Sequence, residues 1–178
     1  VSENIDLTQY AEKTIAEARE LEKGAKVKVS GTVAKITYAN GMKPNGFYLV
    51  DNAASIYVFS GDLAAQVSVG NNVQLAATKA YWILDTEATN AAKFGYTGCV
   101  QVDKAHLIGE IESNQTVDLS WVTESTVKEI MDTKPSTNIT TTIYKVNAYV
   151  KKVVGTGFTN YYIDDIDGKT GSYVYTQC

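Results

Sequence analysis

A chain of 178 residues and 19.3 kDa, 44% hydrophobic and 20% charged, has the size and proportions of one moderate or two small globular domains, and no apolar run reaches the roughly 18 to 20 residues that span a bilayer. The formal charge is −4, the pI about 5.0 and Arg19 the only arginine, which removes bidentate guanidinium–phosphate recognition from nearly the whole chain and excludes strong non-specific DNA binding. One histidine, His106, and two cysteines, Cys99 and Cys178, make neither a zinc site without carboxylate help nor a repeated Cys-x-x-Cys cluster.

Asp6 to Gly24 carries Thr8 as an N-cap, apolar residues at Ile15, Ala18 and Leu21, and a closing glycine, which predicts a helix. Ala25 to Tyr38 alternates, with Val27, Val29, Gly31 and Val33 on one face and Lys26, Lys28, Ser30 and Thr32 on the other, the period of a long half-buried strand. The turn-rich stretch Asn40 to Gly46 separates it from a strand over Phe47–Asp51, and Asn52–Ala54 leads into another over Ser55–Ser60. Gly70–Asn72 then turns into Val73–Trp82, and Cys99 to Ile111 forms a fifth segment. Five strands, the first long and bent, fit a small barrel with Val27, Val29, Val33, Leu49, Ile56, Val58, Val73 and Leu75 inside.

The chain also resembles itself. Lys28–Ile36 matches Lys145–Val153 at an offset of 117, Phe47–Asp51 matches Tyr161–Asp165 at 114, and Tyr57–Phe59 matches Tyr173–Tyr175 at 116, with the offset changes falling in turns. A short helix over Glu124–Lys134, with Ile130 and Met131 apolar and Pro135 beyond it, stands ahead of the second copy as Asp6–Gly24 stands ahead of the first. The expected fold class is mainly β: tandem OB-fold-like β-barrel repeats, each preceded by an α-helix, over 1–113 and 114–178. The second repeat is expected to be incomplete, because the sequence reaches Cys178 before any counterparts of Val73–Trp82 and Cys99–Ile111. Its inner face, Val146, Val150, Ile163 and Val174, is expected to be open and to be covered by a neighbour, either by self-association or because the chain is a fragment.

Gly31–Val33, Gly46–Asp51, Ile56–Phe59 and Val69–Val73 together follow a pattern of the form G-x-V, G-F-Y-L-x-D, I-Y-V-F and V-G-x-x-V. In these motifs the chain resembles OB-fold modules of bacterial extracellular proteins, those beside secreted nucleases of the YhcR type and those in surface lipoproteins. The resemblance covers about residues 25–110 well and 140–176 in part, and Ala148 stands where the second copy should repeat Gly31. It implies an accessory binding module with no catalytic residues of its own. The usage of Thr, Asn, Tyr, Ala and Gly, with lysine as almost the only base, points the same way, to a secreted or surface-attached bacterial protein.

An OB barrel binds single-stranded nucleic acid or sugars on the outer face of its second and third strands, through stacking rings worth roughly 1 to 3 kcal/mol per base. With Ile56 and Val58 inside, Tyr57 and Phe59 point out and Tyr48 joins them; Tyr162, Tyr173 and Tyr175 repeat the set. These six residues are the candidate ligand-binding site, for single-stranded nucleic acid or an oligosaccharide; the alternative is a structural spacer or protein–protein interaction module whose rings lie in an interface. Lysines 26, 28, 35, 43, 151 and 152 read as a solvated strand face, and Asp164–Lys169 as a hairpin turn, because a calcium loop would need carboxylates where Ile163 and Val174 stand. Cys99 and Cys178 either pair in an oxidising compartment or remain two thiols. No hydrolase triad, phosphate loop or dinucleotide fingerprint is present, so the chain is expected to be no enzyme and to hold no cofactor or metal.

Overall fold

Alternation of apolar and polar residues gives strands, and strands with one apolar face must close or pack. The computed structural model describes residues 5–39, 42–82, 99–133 and 143–174. Its first part contains β1 (Ala11–Glu12), α1 (Ile15–Glu20), β2 (Lys26–Ala39), β3 (Lys43–Val50), β4 (Ser55–Val58), α2 (Gly61–Ala64), β5 (Asn72–Trp82) and β6 (Cys99–Glu112). Strand order is β1-β2-β3-β4-β6-β5, and β2 pairs with β5 as well, so the sheet closes on itself. Closure depends on the length of β2: Lys26–Thr32 pairs with β5, and Thr32–Ala39 pairs with β3. A register shift between Val33 and Lys35 bends the strand from one partner to the other, as bulges do. The ladders are antiparallel except β1–β2 and β4–β6.

The eight residues expected inside are each no more than 1% exposed. Phe47 from β3, Val102 from β6, and Ile15 and Ala18 from α1 join them at 0%, and α2 adds Leu63 and Ala64. Each large side chain taken out of water stabilises the fold by roughly 1.5–3 kcal/mol, so one continuous cluster holds both helices to the barrel.

The N-terminal helix is shorter than Asp6–Gly24. Asp6, not Thr8, caps a 3-10 turn over Leu7–Gln9, accepting the Thr8 N–H, and α1 begins only after Thr14. Thr14 and Glu17 form a capping box: Thr14 Oγ1 accepts the Glu17 N–H and Glu17 Oε2 accepts the Thr14 N–H. Between turn and helix, Ala11–Glu12 pairs with β2 as a short parallel strand. Two other expectations shift. β3 starts at Lys43, inside the stretch expected to be turn, and Ser60 ends β4 by capping α2.

The remaining elements are β7 (Glu124–Ser125), α3 (Val127–Thr133), β8 (Lys145–Val146), β9 (Tyr149–Gly155), β10 (Phe158–Asp164) and β11 (Ser172–Val174). They form a three-stranded antiparallel sheet, β11-β10-β9, and a parallel pair, β7–β8. The registers follow the first part as far as the place of its register shift. Tyr149 faces Asp164 and Val150 faces Ile163, as Thr32 faces Val50 and Val33 faces Leu49; Tyr162 faces Tyr173 as Tyr48 faces Tyr57. The helix start recurs too. Glu124 pairs with Lys145 as Glu12 pairs with Lys28, in ladder and in ion pair, at 3.2 and 3.8 Å. Thr126 and Glu129 repeat the capping box. Asp165 accepts the Val127 and Lys128 N–H groups at 2.8 Å, as Asp51 accepts that of Ile15 at 3.1 Å. Each aspartate ties a helix N-terminus to the end of a strand some 36 to 38 residues away, the dipole and the orphan N–H groups both favouring the charge.

Two features differ from the first part. The long strand expected over Lys145–Val153 is broken at Asn147–Ala148, and the β9–β10 ladder has no register shift.

Candidate ligand-binding face

Phe47 and Leu49 on β3, and Ile56 and Val58 on β4, are buried, so alternation turns Tyr48 and Tyr57 to the outside of the barrel. They are directly opposite in the ladder, half-buried, with ring centroids 5.2 Å apart and planes at 57°. That tilted geometry is a favourable one for a ring pair. The Tyr57 hydroxyl lies 2.7 Å from Thr37 Oγ1, which donates to Asn45 Oδ1 at 2.7 Å. Since Thr37 has a single hydroxyl proton, Tyr57 donates to Thr37, giving a relay Tyr57–Thr37–Asn45 that fixes the ring. Gly46 makes room for it: a Cβ there would stand 2.3 Å from the Tyr57 hydroxyl and 2.6 Å from the Val58 carbonyl.

Phe59 follows β4 and donates its N–H to Val102 at 2.9 Å, continuing the β4–β6 pairing; its side chain is 50% exposed. Lys35 lies opposite Tyr48, and Gln101 opposite Tyr57. Asp103, two residues beyond Gln101, has its Oδ1 enclosed with no hydrogen-bond partner among the described residues. Tyr48 and Tyr57 are therefore brought together, and Phe59 follows two residues beyond Tyr57. Thr37, Asn45 and Gly46 are site residues that alternation alone does not reveal, because their roles depend on register across two ladders.

Tyr162 occupies the Tyr48 position of the second sheet and is half-buried, in register with Tyr173, of which only the backbone is described. Tyr175 and Cys178 lie outside the described residues, as does the side chain of Cys99. The lysines find local partners: Lys26 bonds to Gln9 and sits 5.5 Å over the Tyr10 ring, Lys28 pairs with Glu12, and Lys151 bonds to Thr170. Asp164 Oδ1 accepts the Ile166 N–H and Asp165 caps α3, so the acidic segment is spent on a turn and a helix start. Among the described residues no group of three or more His, Cys, Asp or Glu side chains is placed to hold a metal ion, and no helix is long and apolar enough to cross a membrane.

Lys79 is buried within the barrel, in phase with Val73, Leu75 and Ala77. Its ammonium donates to the Arg19 carbonyl at 2.5 Å, at the C-terminal end of α1, and lies 4.5 Å from the Tyr81 ring centroid. A cation there meets the negative end of the helix, yet burial first, and the Arg19 charge second, lower its pKa from the ordinary 10.5. With the folded pKa below the unfolded one, the unfolded chain binds the extra proton in between, so this group makes stability rise with pH through that window. The Lys79→Met variant is expected to lack the rise, read as the difference between the two proteins in urea midpoints from pH 7 to 10.5; parallel curves would show that Lys79 is not desolvated.

No protein-family model matches the chain, and no curated protein matches it significantly. A solved structure assigned as an aspartyl-tRNA synthetase, from Leishmania major Friedlin, is similar at 12% identity over 61% of this chain, with a TM-score of 0.38. The chain spans 22% of the length of that structure. A likeness at that level bears on neither fold nor function.

Proposed function

We propose that the chain is a non-catalytic binding module built from two OB-like repeats, and that it holds its ligand by ring stacking on Tyr48, Tyr57 and Phe59. The strand order supports the OB-like reading of the first part: leaving out the two-residue β1, the barrel runs first-second-third-fifth-fourth and back to the first, with the third and fifth parallel, as a Greek-key OB barrel does. The observation that carries the ligand reading is the Tyr48–Tyr57 ring pair, fixed on the outer face of the second and third barrel strands by the Thr37–Asn45 relay and Gly46. A ring fixed in advance loses little entropy when a flat ligand lies on it.

Both ligand classes with flat apolar faces, single-stranded nucleic acid and oligosaccharides, fit such a platform. The net charge of −4, the single arginine and the Asp103 carboxylate next along the strand favour hydroxyl-rich sugars over phosphates. The setting consistent with this module is a secreted or surface-attached bacterial protein. Titration of intrinsic fluorescence with xylo-, gluco- and galacto-oligosaccharides and with oligothymidylate is expected to give saturable binding to a sugar and weaker, steeply salt-dependent binding to the oligonucleotide. Tyr57→Ala should weaken either by about tenfold or more, the loss of one stacking ring. Silence with every ligand at millimolar concentration would leave the spacer or interaction module as the function.

A further inference from the structure

The outer face of the barrel carries a carboxylate beside its rings. Val102 is fully buried in the core, so alternation along β6 turns Asp103 outward, onto the face that holds Tyr48 and Tyr57. On one side of Asp103, the Val58–Val102 pairing and the Phe59 N–H bond to Val102 bring Phe59 to the same level; on the other, Thr78 of β5 is in register. Neighbouring strands lie about 4.8 Å apart, so the half-exposed Phe59 and the carboxylate are adjacent on the surface. Asp103 is followed by a bulge: Lys104, with a φ of 47°, and Ala105 together stand opposite Ala77.

This carboxylate is unanswered. Its Oδ1 is enclosed yet accepts no hydrogen bond, and the side chain enters no ion pair, among the described residues. Folded proteins pair nearly all enclosed polar atoms, and an exception points to an ion or a ligand group that completes the set. A cation placed here gains twice, from the face of the Phe59 ring and from a charge-assisted hydrogen bond to Asp103. A phosphate is repelled. A neutral hydroxyl can donate to the carboxylate but draws nothing electrostatic from the ring. One register step away, the Tyr48–Tyr57 pair offers the flat apolar surface on which a pyranose ring stacks.

We infer that the sugar taken by this face is an amino sugar, its pyranose ring on the Tyr48–Tyr57 pair and its ammonium between Phe59 and Asp103. The inference rests on the ring platform proposed above as the binding face and adds the charge of the ligand. A lysine-rich peptide would bring the ammonium but no flat ring for the tyrosines. A neutral glycan would bring the ring and leave Asp103 unanswered.

The test uses the 178-residue chain and β-1,4-linked tetrasaccharides that differ only at the second carbon of each ring: the glucosamine tetramer with an ammonium, the N-acetylglucosamine tetramer with an acetamide, and cellotetraose with a hydroxyl. In calorimetric titration the glucosamine tetramer is expected to bind about tenfold more tightly than the other two, an advantage that shrinks as salt rises from about 50 to 500 mM. Asp103→Asn, which keeps the shape and removes the charge, should level the three sugars. Tyr57→Ala should weaken all of them, and urea midpoints establish that both variants are folded. Equal binding of the three sugars by the unaltered chain, or a preference that survives Asp103→Asn, would overturn the inference and leave the ring platform standing. Tetralysine bound as tightly as the glucosamine tetramer would overturn it in favour of a cationic peptide. Silence with every sugar would overturn the platform and the inference together.

Discussion

Phe47→Ala is expected to lower the stability of the barrel by about 3–5 kcal/mol, the cost of truncating a fully enclosed aromatic ring. Phe47 is 0% exposed, lies in the middle of β3 opposite Ile36 and Val58, and belongs to the cluster that gathers both α1 and α2. Little could collapse into the space, since the ladders on both sides of β3 hold its neighbours apart. Two comparisons separate this cost from a general loss of aromatic surface. Tyr48, the next residue, faces outward, so Tyr48→Ala should cost about 1 kcal/mol, mostly the ring pair with Tyr57. Tyr161 holds the register position of Phe47 in the second sheet, opposite Lys152 and Val174, but is only half-buried, and Tyr161→Ala should likewise cost about 1 kcal/mol or less. Urea unfolding followed by far-UV circular dichroism reads all three. Equal costs at positions 47 and 161 would contradict the difference in enclosure between the two positions.

The strands of the barrel were legible because a half-buried strand writes its environment into a period of two: Val27, Val29 and Val33 alternate with Lys26, Lys28 and Ser30, and burial follows that alternation. Thr14–Glu17 and Thr126–Glu129 have the spacing of capping boxes, but the helix start was expected at Thr8, a cap-like threonine ahead of the apolar spacing of Ile15, Ala18 and Leu21. The parallel pairing of Ala11 with Val27 decides between the two starts, and that contact is tertiary. The same holds for Asp51, whose carboxylate also accepts the Ala53 and Ala54 N–H groups and so resembles an ordinary turn aspartate in sequence. Lys79 left a signal, a lysine in phase with Val73, Leu75 and Ala77. Its explanation, a helix C-terminus ending over the barrel, required the three-dimensional fold. In the candidate site, alternation sufficed for the outward direction of Tyr48 and Tyr57. The Thr37–Asn45 relay depends on the ladder position of Thr37 opposite Gly46, beyond a register shift that no sequence period encodes.

Gly31→Ala is expected to destabilise the barrel by about 3 kcal/mol, at the upper end of what overpacking usually costs. A Cβ at this position would stand 2.5 Å from the Val50 carbonyl oxygen and 3.0 Å from Leu49 Cγ. The nearer atom is backbone, so relief requires moving a strand. Here the strand is held from both sides: Gly31 pairs with Val73 of β5, and Thr32 beside it pairs with both Asn72 of β5 and Val50 of β3. The position is the hinge where β2 passes from one partner to the other, which is why close approach is unavoidable at that point. Ala148 occupies the matching place in the second sheet, and there the strand is interrupted between β8 and β9. Ala148→Gly should therefore change stability by less than about 1 kcal/mol, the backbone entropy of a glycine, since no ladder among the described residues pins that residue. For Gly31→Ala, amide exchange should accelerate at residues 30–33 and 49–51 before it does so elsewhere in the barrel. A loss below about 0.5 kcal/mol, with exchange unchanged there, would mean that β2 and β3 can separate at no cost and that the shared hinge does not hold the sheet closed.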